Sequence, residues 1–290
     1  MAASPDNPPA DTLWLGAHKT GTTFLQKSLD LSQAALRGQG LHYVELSEFR
    51  RLYTRPLLHS DHSEAPAAPM RDAALPRRLV FDENIPGLVQ HALGNSGLYP
   101  EAGRRARLVA DHLGLIRPRI VLGLRSFRSF LPSLYCEALK STPFKRFRKF
   151  CVTPFAVLSW GDLVGRLGAA FPGSEMLVYT AEALRGHERA LLAQVTGLPP
   201  AAFTLLDQAE RPGFSHQAVA MLHEIAATRP VTREDVSQQT RLFPKGPGAP
   251  GFDPWTAEEA RALDRLYAQD LARLAARPGL RFIDPAAGGS

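Results

Sequence analysis

Only two cysteines, Cys136 and Cys151, occur in the 290-residue chain. That number supports neither a disulfide framework nor a cysteine-built zinc site. No run approaches the roughly 18 apolar residues of a membrane-spanning helix, so the sequence offers no transmembrane segment. The opening residues, MAASPDNPPADT, lack the basic and apolar stretches of a secretory signal. A cytoplasmic location is the expectation. Lysine is scarce too: Lys19, Lys27, Lys140, Lys145, Lys149 and Lys245 are six among 34 cationic residues.

What is present is the composition of a folded protein. Hydrophobic residues make up 44% and charged residues 21%, outside the range of disordered chains. A prior of roughly 150 residues per domain allows one large or two ordinary domains, either ample for a core. The 34 cationic residues exceed the 28 acidic ones, and the isoelectric point is near 9.6. Arginine carries most of this excess, and its planar fork matches phosphate and sulfate with two parallel hydrogen bonds. Anionic ligands are predicted, though charge alone does not say which.

Residues 1–10, rich in Pro, Asp and Ala, read as a disordered leader, 11–285 as one domain and 286–290 as a tail. Residues 12–16 read as a short buried strand, and 22–36 as one helix with Phe24, Leu25, Ser28, Leu29 and Leu36 on its inward stripe. A second strand is predicted at 41–44. Residues 54–78 hold four prolines and no period, so they read as a long loop. A strand over 78–83 ends in Asp82 and Glu83. The helix predicted over 101–113 turns Arg104, Arg105 and Arg107 outward. The continuous apolar run at 119–124 is a parallel-strand pattern, and a helix follows over 127–139. Residues 176–179 read as the last clear strand, with helices near 187–196, 215–228 and 256–276. Strands alternating with helices predict a parallel α/β sheet with both faces covered. No repeat and no linker divides the chain.

The sharpest motif is Gly16-Ala17-His18-Lys19-Thr20-Gly21-Thr22-Thr23, between a predicted strand and a predicted helix. Backbone amides in such a turn point inward, and the helix N-terminus adds partial positive charge. Gly16 and Gly21 have the spacing of a nucleotide-triphosphate loop, but Thr22 stands where that loop has its lysine. The lysine comes earlier, at Lys19, where it would meet a transferred group or its bridging oxygen. Downstream, the strand at 119–124 runs into Arg125, with Ser133 eight residues later on the following helix.

Residues His18 to Thr23 resemble the 5′-phosphosulfate loop of the sulfotransferases, especially bacterial ones related to carbohydrate sulfotransferases. Their donor is 3′-phosphoadenosine-5′-phosphosulfate (PAPS), and their product nucleotide is 3′-phosphoadenosine-5′-phosphate (PAP). The resemblance implies Lys19 at the donor's bridging oxygen, with Thr20, Gly21, Thr22 and Thr23 around its 5′-phosphate. The pair Arg125 and Ser133 is similar to the family's 3′-phosphate site. Pro132, inside the second helix, departs from a regular helix and predicts a kink or a later start. The expected fold is therefore a P-loop-NTPase-like single domain, α/β, with a central parallel sheet flanked by helices. No metal is required in that chemistry.

Sulfuryl transfer resembles phosphoryl transfer in its loose transition state, where positioning and charge stabilisation dominate. The acceptor hydroxyl still needs a base within reach. Carbohydrate sulfotransferases often use a glutamate after the corresponding strand, and Glu83 resembles it. Asp82 competes, and strand alternation aims only one of the two at the cleft. His18 is the third candidate, with a turn-fixing role as its alternative. The expected acceptor is a free hydroxyl on a glycan or glycolipid.

His59 and His62 flank Asp61, yet a long polar loop favours solvated histidines over a metal site. Lys140, Lys145, Arg146, Arg148 and Lys149 interleave with Phe144, Phe147 and Phe150. This pattern fits a groove for an anionic sugar chain or nucleic acid. It fits a solvated face over packed aromatics better, so no nucleic-acid partner is expected. Residues 241–251 form a flexible basic loop in which Lys245 is a lid candidate. Two alternatives stand beside this reading: a P-loop nucleotide kinase or NTPase, and a non-catalytic nucleotide-binding protein.

Overall fold

Buried residues follow one another along the strands instead of alternating with exposed ones, and that pattern requires a sheet covered on both sides. The computed structural model describes residues 11–59, 65–66, 70, 72, 74–207 and 213–285. The expected leader and C-terminal tail lie outside them, as do Asp61 and His62. The strands are β1 (Thr12–Trp14), β2 (Leu41–Tyr43), β3 (Arg77–Phe81), β4 (Leu93–Gly94), β5 (Gly97–Leu98), β6 (Arg119–Leu124), β7 (Met176–Thr180) and β8 (Leu280–Phe282). Six of them form one parallel sheet in the order β2-β3-β1-β6-β7-β8, while β4 and β5 make a small antiparallel hairpin.

The longer helices are α1 (Thr22–Leu31), α2 (Ala102–His112), α3 (Phe127–Ala138), α4 (Trp160–Ala170), α5 (Glu188–Thr196), α6 (His216–Thr228), α7 (Arg233–Leu242) and α8 (Ala257–Ala275). Alternation within each strand feeds two cores. On one face Trp14, Phe81, Val121 and Tyr179 pack with Leu25 and Leu29 of α1 and Leu191 of α5. Trp14 stacks on Phe81 with ring centroids 4.3 Å apart. On the other face Leu13, Val80, Ile120 and Val178 pack with residues of α2, α3, α4 and α8. The structure is thus α/β, a parallel sheet flanked by helices.

The chain leaves β1 for β2 and β3 on one side, then crosses to β6, β7 and β8 on the other. The reversal falls between the adjacent strands β1 and β6. Open α/β sheets bind ligands at such a point, outside the strands' carboxyl ends.

Several expectations are corrected. The helix over 22–36 breaks at Ser32, whose hydroxyl donates to the Ser28 carbonyl at 2.7 Å and accepts from Thr204 N at 2.9 Å. A side chain that bonds its own helix backbone competes with the ladder. The loop over 54–78 begins with structure: a π-helical turn, Arg50–Thr54, leads into the short helix Arg55–Leu58. Pro56 is the second residue of that short helix. Beyond 176–179, the last clear strand in the sequence, comes one more, β8.

Helices α4 and α7 escape the sequence pattern. Three glycines dilute α4, although Trp160, Leu163, Val164 and Leu167 form its buried stripe. In α7 only Asp235, Val236 and Gln239 are buried, so its Thr232/Asp235 capping box is the stronger signal. Arg105 points inward, not outward. It donates to the carbonyls of Ile85, Leu58 and Asn84 at 2.9, 3.1 and 3.0 Å and clamps the turn after β3. Among the described residues, no helix is long and apolar enough to cross a membrane.

Pro132 lies inside α3 without delaying its start. A proline leaves the carbonyl four residues earlier without its helical donor. That carbonyl belongs to Arg128, and the Trp255 indole N–H donates to it at 2.8 Å.

Candidate functional site

The loop between β1 and α1 sits against the switch point. Lys19 has φ +67°, a left-handed conformation costly for a residue with a Cβ and typical of places under functional constraint. Gly21, at φ +87°, caps α1 with no side-chain hydrogen bond to the first-turn amides. A Cβ there would come within 2.5 Å of Leu184, so both conformation and space require glycine. The loop also leans on β6 at Gly123, where a Cβ would meet Thr20 Oγ1 at 2.6 Å. The Thr20 hydroxyl donates to the Ala17 carbonyl at 2.7 Å, and Thr20 and Thr22 are buried. Gly21 and Thr23 are exposed.

Arg125 follows β6 directly and joins the two sequence motifs. Its Nη1 donates to the Lys19 carbonyl at 2.7 Å and to Ser133 Oγ at 3.4 Å, and its Nε donates to Ser129 Oγ at 2.9 Å. Ser129, one turn before Ser133, was readable at the same helical spacing. The Arg125 carbonyl accepts from the Trp160 indole at 2.9 Å. Trp160 in turn sits at the start of α4, where the fully buried Asp270 accepts from Ser159 Oγ and the Trp160 backbone N–H.

Lys19 and Arg125 open onto a cleft of about 470 Å³ that α3 also lines, through Ser133 and Glu137. The Lys19 ammonium does not reach Glu83; it pairs with Glu137 at 3.1 Å. The basic stretch after α3 divides. Lys140 lines the cleft, whereas Lys145, Arg146, Arg148 and Lys149 are exposed over the buried Phe147. Arg148 is held by Glu259 at 2.7 and 2.8 Å. Residues 241–251 are a pinned strap: Ser215 Oγ donates to the Phe243 carbonyl at 2.7 Å and Lys245 N to the Gly213 carbonyl at 3.3 Å. Lys245 lines the cleft from there.

The two carboxylates after β3 have different environments. Asp82 is fully buried and accepts from Arg50 Nε and Nη2 at 2.9 and 2.7 Å, Thr54 Oγ1 at 2.7 Å and Asn84 N at 2.9 Å. Glu83 pairs with Arg50 Nη2 at 3.0 Å, and its Oε2 accepts from Gln26 Nε2 at 2.7 Å. Burial pushes the Glu83 carboxyl up, but Arg50, His18 and the Gln26 hydrogen bond outweigh it and hold the group below the usual carboxylate range. Arg50, Thr54 and Gln26 carry no sequence signal, because a π-helical turn and a helix on another element bring them in.

His18 is buried in the same network. Its backbone N–H donates to Tyr99 OH at 3.0 Å and its Nδ1 lies 2.8 Å from that oxygen. Asn84 satisfies every neighbour when its amide nitrogen donates to His18 Nε2 at 3.2 Å and its oxygen faces Arg50 at 3.2 and 3.3 Å. Burial pushes the imidazole pKa down. Among the described residues no three His, Cys, Asp or Glu converge as metal ligands would.

Fold and cleft together define an open parallel α/β protein with a basic cleft at its switch point. Comparison with family models, curated proteins and solved structures finds no match for the chain.

Proposed function

We propose that this chain is a sulfotransferase on a P-loop-like fold, moving a sulfuryl group from PAPS to an acceptor hydroxyl on a carbohydrate or glycolipid. One observation carries the reading. Arg125, just after β6, bonds both Ser133 and the carbonyl of Lys19, so the two sequence motifs meet at the sheet's switch point. The residues present fit such a donor. Uncapped amides at the start of α1 and the left-handed loop favour its 5′-phosphate. Arg125, Ser129 and Ser133 suit its 3′-phosphate.

The donor supplies a sulfuryl group on a stable leaving nucleotide; the chain supplies position and charge. Lys19 neutralises negative charge that grows on the bridging oxygen. Glu83 takes the acceptor's proton. Its Oε1 pairs with Arg50 and its Oε2 accepts from Gln26, and a carboxylate with about four lone-pair sites retains room for a hydroxyl. The proton passes to Glu83 as the acceptor oxygen bonds to sulfur, which suits a loose transition state. Asp82, enclosed by Arg50 and Thr54, serves as the anchor of Arg50.

Thermal unfolding tests the donor. PAP at 100-fold excess over its Kd should stabilise the fold by about 2.7 kcal/mol, and AMP at the same concentration by less. A larger effect of Mg·ATP would replace this reading with a nucleotide kinase or NTPase. In a transfer assay Glu83→Gln should keep PAP affinity while turnover falls about 10²–10⁴-fold. PAP binding with no turnover toward any glycan hydroxyl would leave a non-catalytic nucleotide-binding protein.

A further inference from the structure

Half of the chain's six lysines reach one cleft: Lys19 from the loop after β1, Lys140 from just beyond α3, and Lys245 from the strap after α7. Glu137, near the end of α3, meets two of them. Its Oε2 accepts from Lys19 Nζ at 3.1 Å and from Lys140 Nζ at 2.8 Å. Burial pushes this carboxyl up, yet the two ammonium groups more than offset burial and hold it at about 2. Among the described residues, five cationic side chains and three carboxylates line the cleft, so positive charge is in surplus even with Glu137 ionised.

The contact is not locked. The side chains of Lys19, Lys140 and Glu137 retain between 25% and 33% exposure, and each lysine reaches the carboxylate through a flexible stem. One oxygen shared by two ammonium groups is also how lysines hold an oxygen of a phosphate or sulfate group. Without Glu137 the two like charges would repel each other in a half-buried cleft.

We infer that Glu137 is a displaceable counter-ion standing in for an anionic group of a ligand, and that Lys140 joins Lys19 as a direct ligand of that group. The inference rests on the reading of Lys19 as an anion-binding residue. Glu137 is then a positioning residue: it assembles both lysines in advance and yields them when the stronger anion arrives. Lys140 leaves the solvated basic stretch and enters the site.

Calorimetric titration of the full chain with PAP and, separately, with inorganic pyrophosphate tests this. Glu137→Gln should tighten binding about tenfold, the worth of a modest charged hydrogen bond. Glu137→Asp, which keeps the charge, should stay near the parent affinity. In a Lys19→Ala background the effect of Glu137→Gln should shrink, and Lys140→Ala should weaken binding of both anions. If both anions bind the parent and Glu137→Gln leaves their affinity unchanged or weaker, the counter-ion is overturned while the PAPS reading stands. If pyrophosphate binding tightens but PAP binds neither protein, the counter-ion stands and the PAPS reading fails. Binding of neither anion to either protein overturns both.

Discussion

Glu83 and Glu137 are both carboxylates pushed up by burial and pulled back below the ordinary range by cations, yet they are held in opposite ways. Glu83 lies in a network in which Arg50 spans two carboxylates, Gln26 adds a bond at 2.7 Å, and His18 and Asn84 close the far side. Glu137 rests on two lysine tips in an open cleft. A guanidinium fixes direction, whereas an ammonium supplies charge with little geometry. A lowered carboxyl pKa therefore marks a rigid element in one place and an exchangeable one in the other.

The largest expected effect breaks the rigid side. Asp82→Ala removes the fully buried partner of Arg50 and should cost about 3–5 kcal/mol in urea unfolding, as for other buried ion pairs broken at one end. A loss below about 1 kcal/mol would mean that the network is no more rigid than the lysine side.

Arg125→Ala acts on the cleft side. It should weaken PAP binding by about 1.5–3 kcal/mol while hardly changing AMP, because only the 3′-phosphate loses its charged donor. Equal losses for both nucleotides would show that Arg125 matters through its bond to the Lys19 carbonyl alone.

The smallest effect sharpens the contrast through pH. His18 has a folded pKa below its ordinary 6.5, chiefly from burial, so the unfolded chain binds a proton that the folded chain refuses. Its contribution is present above about pH 6.5 and is lost as pH falls from there toward the lower folded value. His18→Gln should flatten that part of the stability profile, measured as urea midpoints from about pH 5 to about pH 8. An unchanged slope would place the ring in a more solvated setting than the network implies.

Much of the sheet was legible. The apolar runs of β1, β3, β6 and β7 are buried on both faces, and such strands announce themselves without alternation. The loop glycines, Lys19, Arg125 and Ser133 were readable because their spacing along one turn or one helix survives in the sequence. Arg50, Gln26 and Tyr99 were not, since each reaches the carboxylates or His18 from a different element and tertiary packing alone decides the meeting. Arg105 reads as one more exposed cation on an amphipathic helix until the carbonyls of Leu58, Asn84 and Ile85 surround it.

The proline in α3 has a mechanical consequence. Because the Arg128 carbonyl is taken by the Trp255 indole, α3 is latched from outside at its first turn. A helix bonded only to itself can slide or roll over its neighbours by small steps, but a latched one keeps its register. Ser129, Ser133 and Glu137 follow one another at four-residue steps along α3, so the latch helps to fix where all three stand along the cleft.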